Sequence, residues 1–145
     1  MAYQKILAAI DLNEDYAPIV EKALALGCVE NVVVVTVMEA WNMLLAAGGV
    51  DAGAEANVVA DLRARVEQSD KDKLCAIRQQ YQLPESSAVL LEGKPAHEIK
   101  RYAQDNQFDV IVTGTHGRHG VKLLLGSTSS GILHGTPCDV LAVRV

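Results

Sequence analysis

The sequence predicts an α/β domain: an open, doubly wound parallel sheet with helices on both faces. Three observations carry that prediction. Short runs rich in valine and isoleucine recur along the chain. They are continuously apolar rather than alternating, as in strands buried on both faces. Longer segments between them space their apolar residues at helical intervals. Finally, half of the residues are hydrophobic but only 4% are aromatic, so small aliphatic side chains must fill the core. At 145 residues the chain suits one compact domain, and no repeat or linker divides it.

Gln4 to Leu12 reads as the first strand, with a continuous apolar centre from Ile6 to Ile10. Asp11 stands at its end, and Asn13-Glu14-Asp15 can cap the helix that follows. That helix puts Ile19, Val20, Ala23 and Leu24 on one face, and Gly27 is a natural stop. Asn31 to Val37 is a β-branched second strand. Met38 to Ala56, with Trp41 and Gly48-Gly49, has no clear period and reads as an irregular loop. A second helix runs from about Asn57 to Tyr81, with Leu62, Val66, Leu74, Ile77 and Tyr81 as its buried stripe. Ser87 to Leu91 is a shorter third strand. Pro95 suits the first position of a third helix, whose inner face is Ala96, Ile99 and Ala103. Val110 to Thr113 is the fourth strand. A short helix ends near His134, Thr136-Pro137 breaks it, and Asp139 to Val145 is the fifth strand. Strands joined by helices through right-handed crossovers give helices on both faces.

The net charge of −5 and a pI near 5.3 argue against a nucleic-acid-binding surface, which needs a basic stripe. No signal peptide and no apolar run of about 18 residues appears, so the sequence reads as a cytosolic protein without a membrane partner. Cys28, Cys75 and Cys138 are far apart and show neither metal-site spacing nor a disulfide framework.

The stretch from Gly114 to Ser129 carries the functional signal. It contains Gly114, Gly117, Gly120 and Gly126, then Ser127-Thr128-Ser129 at the start of a helix. Glycine lets backbone N–H groups approach a ligand, and a helix start offers unpaired donors to a phosphate. The stretch is either a phosphate cradle or a glycine-rich connection. It is neither a P-loop, lacking Gly-Lys-Ser/Thr, nor a dinucleotide fingerprint, because its first three glycines are evenly spaced. His116 either donates to a phosphate or packs at the strand end. Ser127 is a helix cap, a phosphate donor or both. In an open α/β sheet the ligand crevice lies beyond the strand C-termini, where the winding reverses. If the first and fourth strands are neighbours, Asp11 and this stretch face one crevice. Asp11 then accepts from ribose hydroxyls, or it serves as a turn or cap residue. No nucleophile elbow, paired carboxylates or metal-binding helix signature appears.

These residues together resemble the universal stress protein family of the UspA type. The resemblance rests on Lys5-Ile6-Leu7-Ala8-Ala9-Ile10-Asp11, Gly93-Lys94-Pro95 and Asp109-Val110-Ile111-Val112-Thr113-Gly114. It extends through Gly114-Thr115-His116-Gly117-Arg118, Leu124-Leu125-Gly126-Ser127-Thr128 and Pro137-Cys138-Asp139-Val140-Leu141-Ala142-Val143. It implies a five-stranded sheet in the order 3-2-1-4-5, with the first and fourth strands side by side. It also implies a cytoplasmic homodimer of the stress response. In ATP-binding members nine residues separate the second and third motif glycines; here residues 118 to 125 make eight. By the same resemblance Ala9, Ile10 and Asp11 line an adenosine site and Val37 contacts the base. Gly114, Gly117, Gly126 and Ser127 hold phosphate, extended by Thr128 and Ser129, with His116 as the candidate donor named above. The implied ligand is ATP or a related adenine nucleotide. Hydrolysis would call for a positioned water and usually a metal ion such as Mg2+, and no residue is named for either. A dimeric stress protein with an empty cleft, or a weak ATPase, are the competing readings. The dimer is expected to form through the fifth strand, whose apolar edge needs covering; proline at Leu141 or Val143 is the expected way to weaken it.

Overall fold

The computed structural model describes residues 3–39, 56–115 and 127–145. Strand β1 (Ile6–Ala9) is followed by α1 (Ala17–Leu26), β2 (Val32–Glu39), α2 (Ala56–Gln80) and β3 (Ala88–Gly93). Then come α3 (Pro95–Asp105), β4 (Val110–Gly114), α4 (Ser127–Leu133) and β5 (Asp139–Val143). All four strand pairings are parallel, and the sheet order is β3-β2-β1-β4-β5. Both the expected architecture and the strand order are therefore present.

Alternate residues of each central strand feed two separate cores. Ile6, Ala8, Val32, Val34, Val110 and Val112 meet Ile19, Val20 and Ala23 of α1 and Leu74 and Ile77 of α2. Leu7, Ala9, Val35 and Ile111 meet Ile99 and Ala103 of α3 and Ile132 of α4. All four residues of β1 are buried, because it lies mid-sheet and is covered on both faces. On the second face α3 and α4 approach closely. A Cβ on Gly131 would stand 2.7 Å from the Ala96 Cβ, so the contact admits no larger residue.

The N-terminal edge of the sheet is tied by polar contacts. One Asp109 carboxylate oxygen accepts the backbone N–H groups of both Gln4 and Lys5, each at 2.9 Å. The Lys5 ammonium lies 4.9 Å from the centre of the Phe108 ring and donates to the Asn106 carbonyl. The Tyr3 hydroxyl donates to Asp139 at 2.9 Å, joining the start of the chain to β5.

Several sequence expectations shift. The stripe expected along α2 holds only in its C-terminal half. Leu74 and Ile77 are buried, whereas Leu62 and Val66 are 37% and 38% exposed. At 25 residues the helix is about 37 Å long, and the six-residue β3 it packs beside spans about 20 Å. Its first turns therefore extend beyond the apolar sheet, and the Arg63–Glu92 ion pair joins them to the end of β3. Asn13, Glu14 and Asp15 do not cap α1, which starts after Tyr16 without a side-chain cap and with proline in its first turn. Gly27 ends α1 in extended backbone. It is glycine because a Cβ would stand 2.9 Å from both Ile6 Cδ1 and the Tyr3 carbonyl.

Strand β5 is an edge, as expected, but it stops at Val143. The Val143 carbonyl accepts the Thr115 N–H at 2.9 Å, so the polar groups of Val143 face β4. In a parallel ladder the N–H and C=O of one residue point to the same neighbour. Leu141 therefore faces β4 too, and Val140 and Ala142 face the outer edge. Proline at Leu141 or Val143 would break the β4 ladder rather than an outer contact, which corrects the choice of positions made from sequence.

The difference between the halves of α2 gives a direct test. Ile77→Ala, in the C-terminal half of α2 and only 2% exposed, is expected to cost about 2–5 kcal/mol in equilibrium urea unfolding. Leu62→Ala is expected to cost under about 0.5 kcal/mol.

Candidate functional site

Three strand ends at different heights shape the C-terminal edge of the sheet. β1 leaves the ladder after Ala9, and the Ile10 N–H makes a last bond to the Val35 carbonyl at 2.9 Å. β2 runs on to Glu39, paired with β3 through Val37↔Leu91 and Glu39↔Gly93. On the other side β4 continues to Gly114, paired with Val143. A notch therefore opens above β1, between β2 and β4. The winding reverses here: β1 leads to β2 on one side, and β4 lies on the other. This is where α/β sheets take ligands.

Ala9 and Ile10, only 5% and 6% exposed, form the floor. Ala9 belongs to the core beneath α3 and α4, Ile10 to the core beneath α1 and α2. Val37 is half-buried on the same face as Ala9 and packs on that core. Because Ala9 pairs with Val35, Val37 stands two residues, roughly 7 Å, beyond the end of β1. It is thus an apolar wall of the notch. Asp11 follows the floor, half-buried, and its Oδ1 accepts the Asn13 N–H at 2.9 Å while its carbonyl accepts from Glu14 at 3.1 Å. Asp11 is thus a turn residue through one carboxylate oxygen. Its second oxygen has no donor among the described residues.

Gly114 is the buried last residue of β4. A Cβ there would lie 3.1 Å from both Ile19 Cδ1 and Val145 Cγ2, a tight fit in which those side chains would have to give way. Gly126, Gly117 and His116 lie outside the described residues. Ser127, Thr128 and Ser129 begin α4 as expected; Thr128 is half-buried, and α4 has seven residues. The structure therefore brings Ala9, Ile10, Asp11, Val37 and Gly114 to one edge of the sheet, with the glycine-rich segment leaving from that edge.

Two features of this edge escaped the sequence. Thr115, just after β4, bonds to the residues around the end of β5: its N–H reaches the Val143 carbonyl, and its Oγ1 accepts the Val145 N–H at 3.4 Å. A Ser/Thr beside a glycine offers no signal that would pick it out. Asp70 of α2 is the second. Burial pushes its carboxyl above the ordinary range, Lys73 pulls it back, and the Asp11 carboxylate adds to the rise. An acid in a charged helical stretch looks solvent-facing in sequence.

The described residues combine an apolar floor and wall with a carboxylate acceptor, an arrangement suited to binding. Among them no three His, Cys, Asp or Glu stand close enough to hold a metal ion, and no helix is long and apolar enough to cross a membrane. The electrostatics can be tested through Asp70. Its raised pKa means that the folded form holds the proton more tightly than the unfolded chain. The ionised group therefore weakens the fold at neutral pH, and the penalty disappears as pH falls below the ordinary aspartate range. Asp70→Asn is expected to raise the thermal midpoint at pH 7 and to leave it near wild type at pH 3.5, as read by circular dichroism melts.

The universal stress protein family model matches residues 2–144. Universal stress protein A homolog 2 of Coxiella burnetii is 36% identical over 147 residues, which cover 99% of this chain and 96% of that protein. Among solved structures, protein MJ0577 of Methanocaldococcus jannaschii matches with a TM-score of 0.79 at 20% identity, covering 100% of this chain and 98% of that one. A universal stress protein in complex with cAMP matches at 0.55 with 18% identity, over 99% and 98% of the two chains. The Archaeoglobus fulgidus protein in complex with dAMP matches at 0.52 with 16% identity, over 99% of each. These structures share the fold. With a family match across nearly its whole length and a full-length relative above 30% identity, the chain belongs to the universal stress protein family.

Proposed function

We propose that this domain binds an adenine nucleotide, ATP foremost, in the notch above β1, and acts as a dimeric regulatory module of the cytoplasmic stress response. One observation carries the reading: β1 stops at Ala9 while β2 and β4 run past it, and the glycine-rich segment leaves from the end of β4. The apolar floor of Ala9 and Ile10 and the wall of Val37 suit an adenosine, which is flat and mostly apolar. The second oxygen of Asp11 suits a ribose hydroxyl. Gly117, Gly126 and the hydroxyls of Ser127, Thr128 and Ser129 are the proposed phosphate contacts, with His116 as a further donor. Family members of the same fold that hold cAMP and dAMP support an adenine ligand. Among the described residues no three His, Cys, Asp or Glu stand close enough to hold a metal ion, and the proposed role is binding.

Calorimetry with ATP, AMP and cAMP tests the reading. Wild type is expected to bind, and Gly117→Val is expected to lose at least about tenfold in ATP affinity by blocking close backbone approach, with the melting profile kept. Equal affinity in the two proteins would sink the phosphate assignment. Wild type that binds no nucleotide at millimolar concentration would leave the stress protein with an empty cleft, which its eight-residue spacer favours.

The dimer is proposed to form through the outer edge of β5. Val140 and Ala142 turn their backbone groups outward there, and the five-residue strand carries no proline or lysine to discourage pairing. A two-fold pairing of β5 with its copy closes on itself. Ala142→Pro removes one outward donor and spares the β4 ladder. Light scattering is expected to show a wild-type dimer at tens of micromolar and a largely monomeric Ala142→Pro. A folded Ala142→Pro that stays fully dimeric would place the contact elsewhere.

A further inference from the structure

We propose that the residues following β5 act as a latch that fixes the root of the ligand loop, making Thr115 and Val145 positioning residues for the nucleotide. The inference rests on the nucleotide reading above and assigns that site two residues beyond its binding motif.

Three contacts converge on the two residues where the glycine-rich segment leaves the sheet. The Thr115 N–H donates to the Val143 carbonyl at 2.9 Å, one step past the last β4–β5 pair, Gly114↔Val143. The Val145 N–H donates back to Thr115 Oγ1 at 3.4 Å. Val145 Cγ2 lies 3.1 Å from where a Gly114 Cβ would be, and Ile19 Cδ1 of α1 lies at the same distance. Gly114 is thus held between the first turn of α1 and the residue two past β5. Val145 itself packs on the core beneath α1 and α2. The chain after β5 has left the strand, yet it is held by a hydrogen bond and by apolar contact.

The consequence for ligand binding is geometric. Phosphate contacts tolerate little displacement, about half an ångström in a preorganised site. A loop whose first residue drifts must re-order on binding, and that cost subtracts from affinity. The two Thr115 hydrogen bonds and the Val145 contact fix where residue 116 begins. Coupling of this kind is reciprocal: nucleotide binding that depends on Thr115 also steadies Val145. Anything that pulls on the chain beyond β5 changes affinity at the loop.

The test uses the full chain and ATP. Thr115→Val keeps the side-chain shape but cannot accept from Val145, Thr115→Ser keeps the acceptor, and Val145→Gly removes the contact over Gly114. Thr115→Val and Val145→Gly are each expected to weaken ATP binding about three- to tenfold, the scale of one neutral hydrogen bond or a small apolar contact. Thr115→Ser is expected to stay within about twofold of wild type. Amide exchange at Val145 is expected to slow when ATP is added to wild type. Should Thr115→Val fail to fold, Val145→Gly and the exchange measurement decide the matter. ATP affinity within twofold of wild type in Thr115→Val and Val145→Gly would overturn the latch and leave the nucleotide reading standing. Equal weakening by Thr115→Val and Thr115→Ser would also overturn it, since the hydroxyl acceptor would then be irrelevant. Wild type that binds no ATP overturns the nucleotide reading first and the latch with it.

Discussion

A strand hydrogen-bonded on both sides and covered on both faces can be apolar throughout, and it can stop only where its neighbours tolerate an unfilled rung. β1 meets both conditions. Its four residues are buried, and its ladder ends at Ala9 while β2 and β4 continue. The crossover order places the winding reversal at this strand, so the shortest strand marks the position of the cleft. Lengthening β1 by two paired residues would fill the notch; shortening it would open the core to water.

The two faces are occupied differently, and this difference governs the cleft's walls. Beneath α1 and α2 the floor is Ile10; beneath α3 and α4 it is Ala9, with Val37 beyond it. A small residue on one side and a larger one on the other make the floor uneven. Gly131 against Ala96 draws those two helices together over the face that Ala9 and Val37 share.

Most of this plan was legible in the sequence because it depends on patterns the backbone cannot evade. Runs such as Val32 to Val35 cannot be amphipathic helix, and Pro95 suits a helix start. The family motifs supplied the strand order, which no local pattern encodes. What escaped were matters of length and long-range pairing. Leu62 and Val66 continue the helical period of Leu74 and Ile77, and nothing local says that the sheet has ended beneath them. Asn13 to Asp15 have good capping chemistry, but Asp11 closes the turn first. The parity of β5 depends on which residue meets Thr115, 28 positions earlier than Val143. Thr115 and Asp70 acquire their roles only through partners that folding brings to them.

The ties at the opposite edge have a bearing on how such a chain can change over generations. Asp109, Lys5 and Tyr3 knot the beginnings of β1, β4 and β5 together. At the other edge Thr115 anchors one side of the glycine-rich segment, and Gly131 seats the helix on its far side. Insertion or deletion of a residue between those anchors leaves every strand register intact, and the closure entropy of such a segment varies only slowly with its length. Relatives can therefore gain or lose a residue there while inheriting the same sheet.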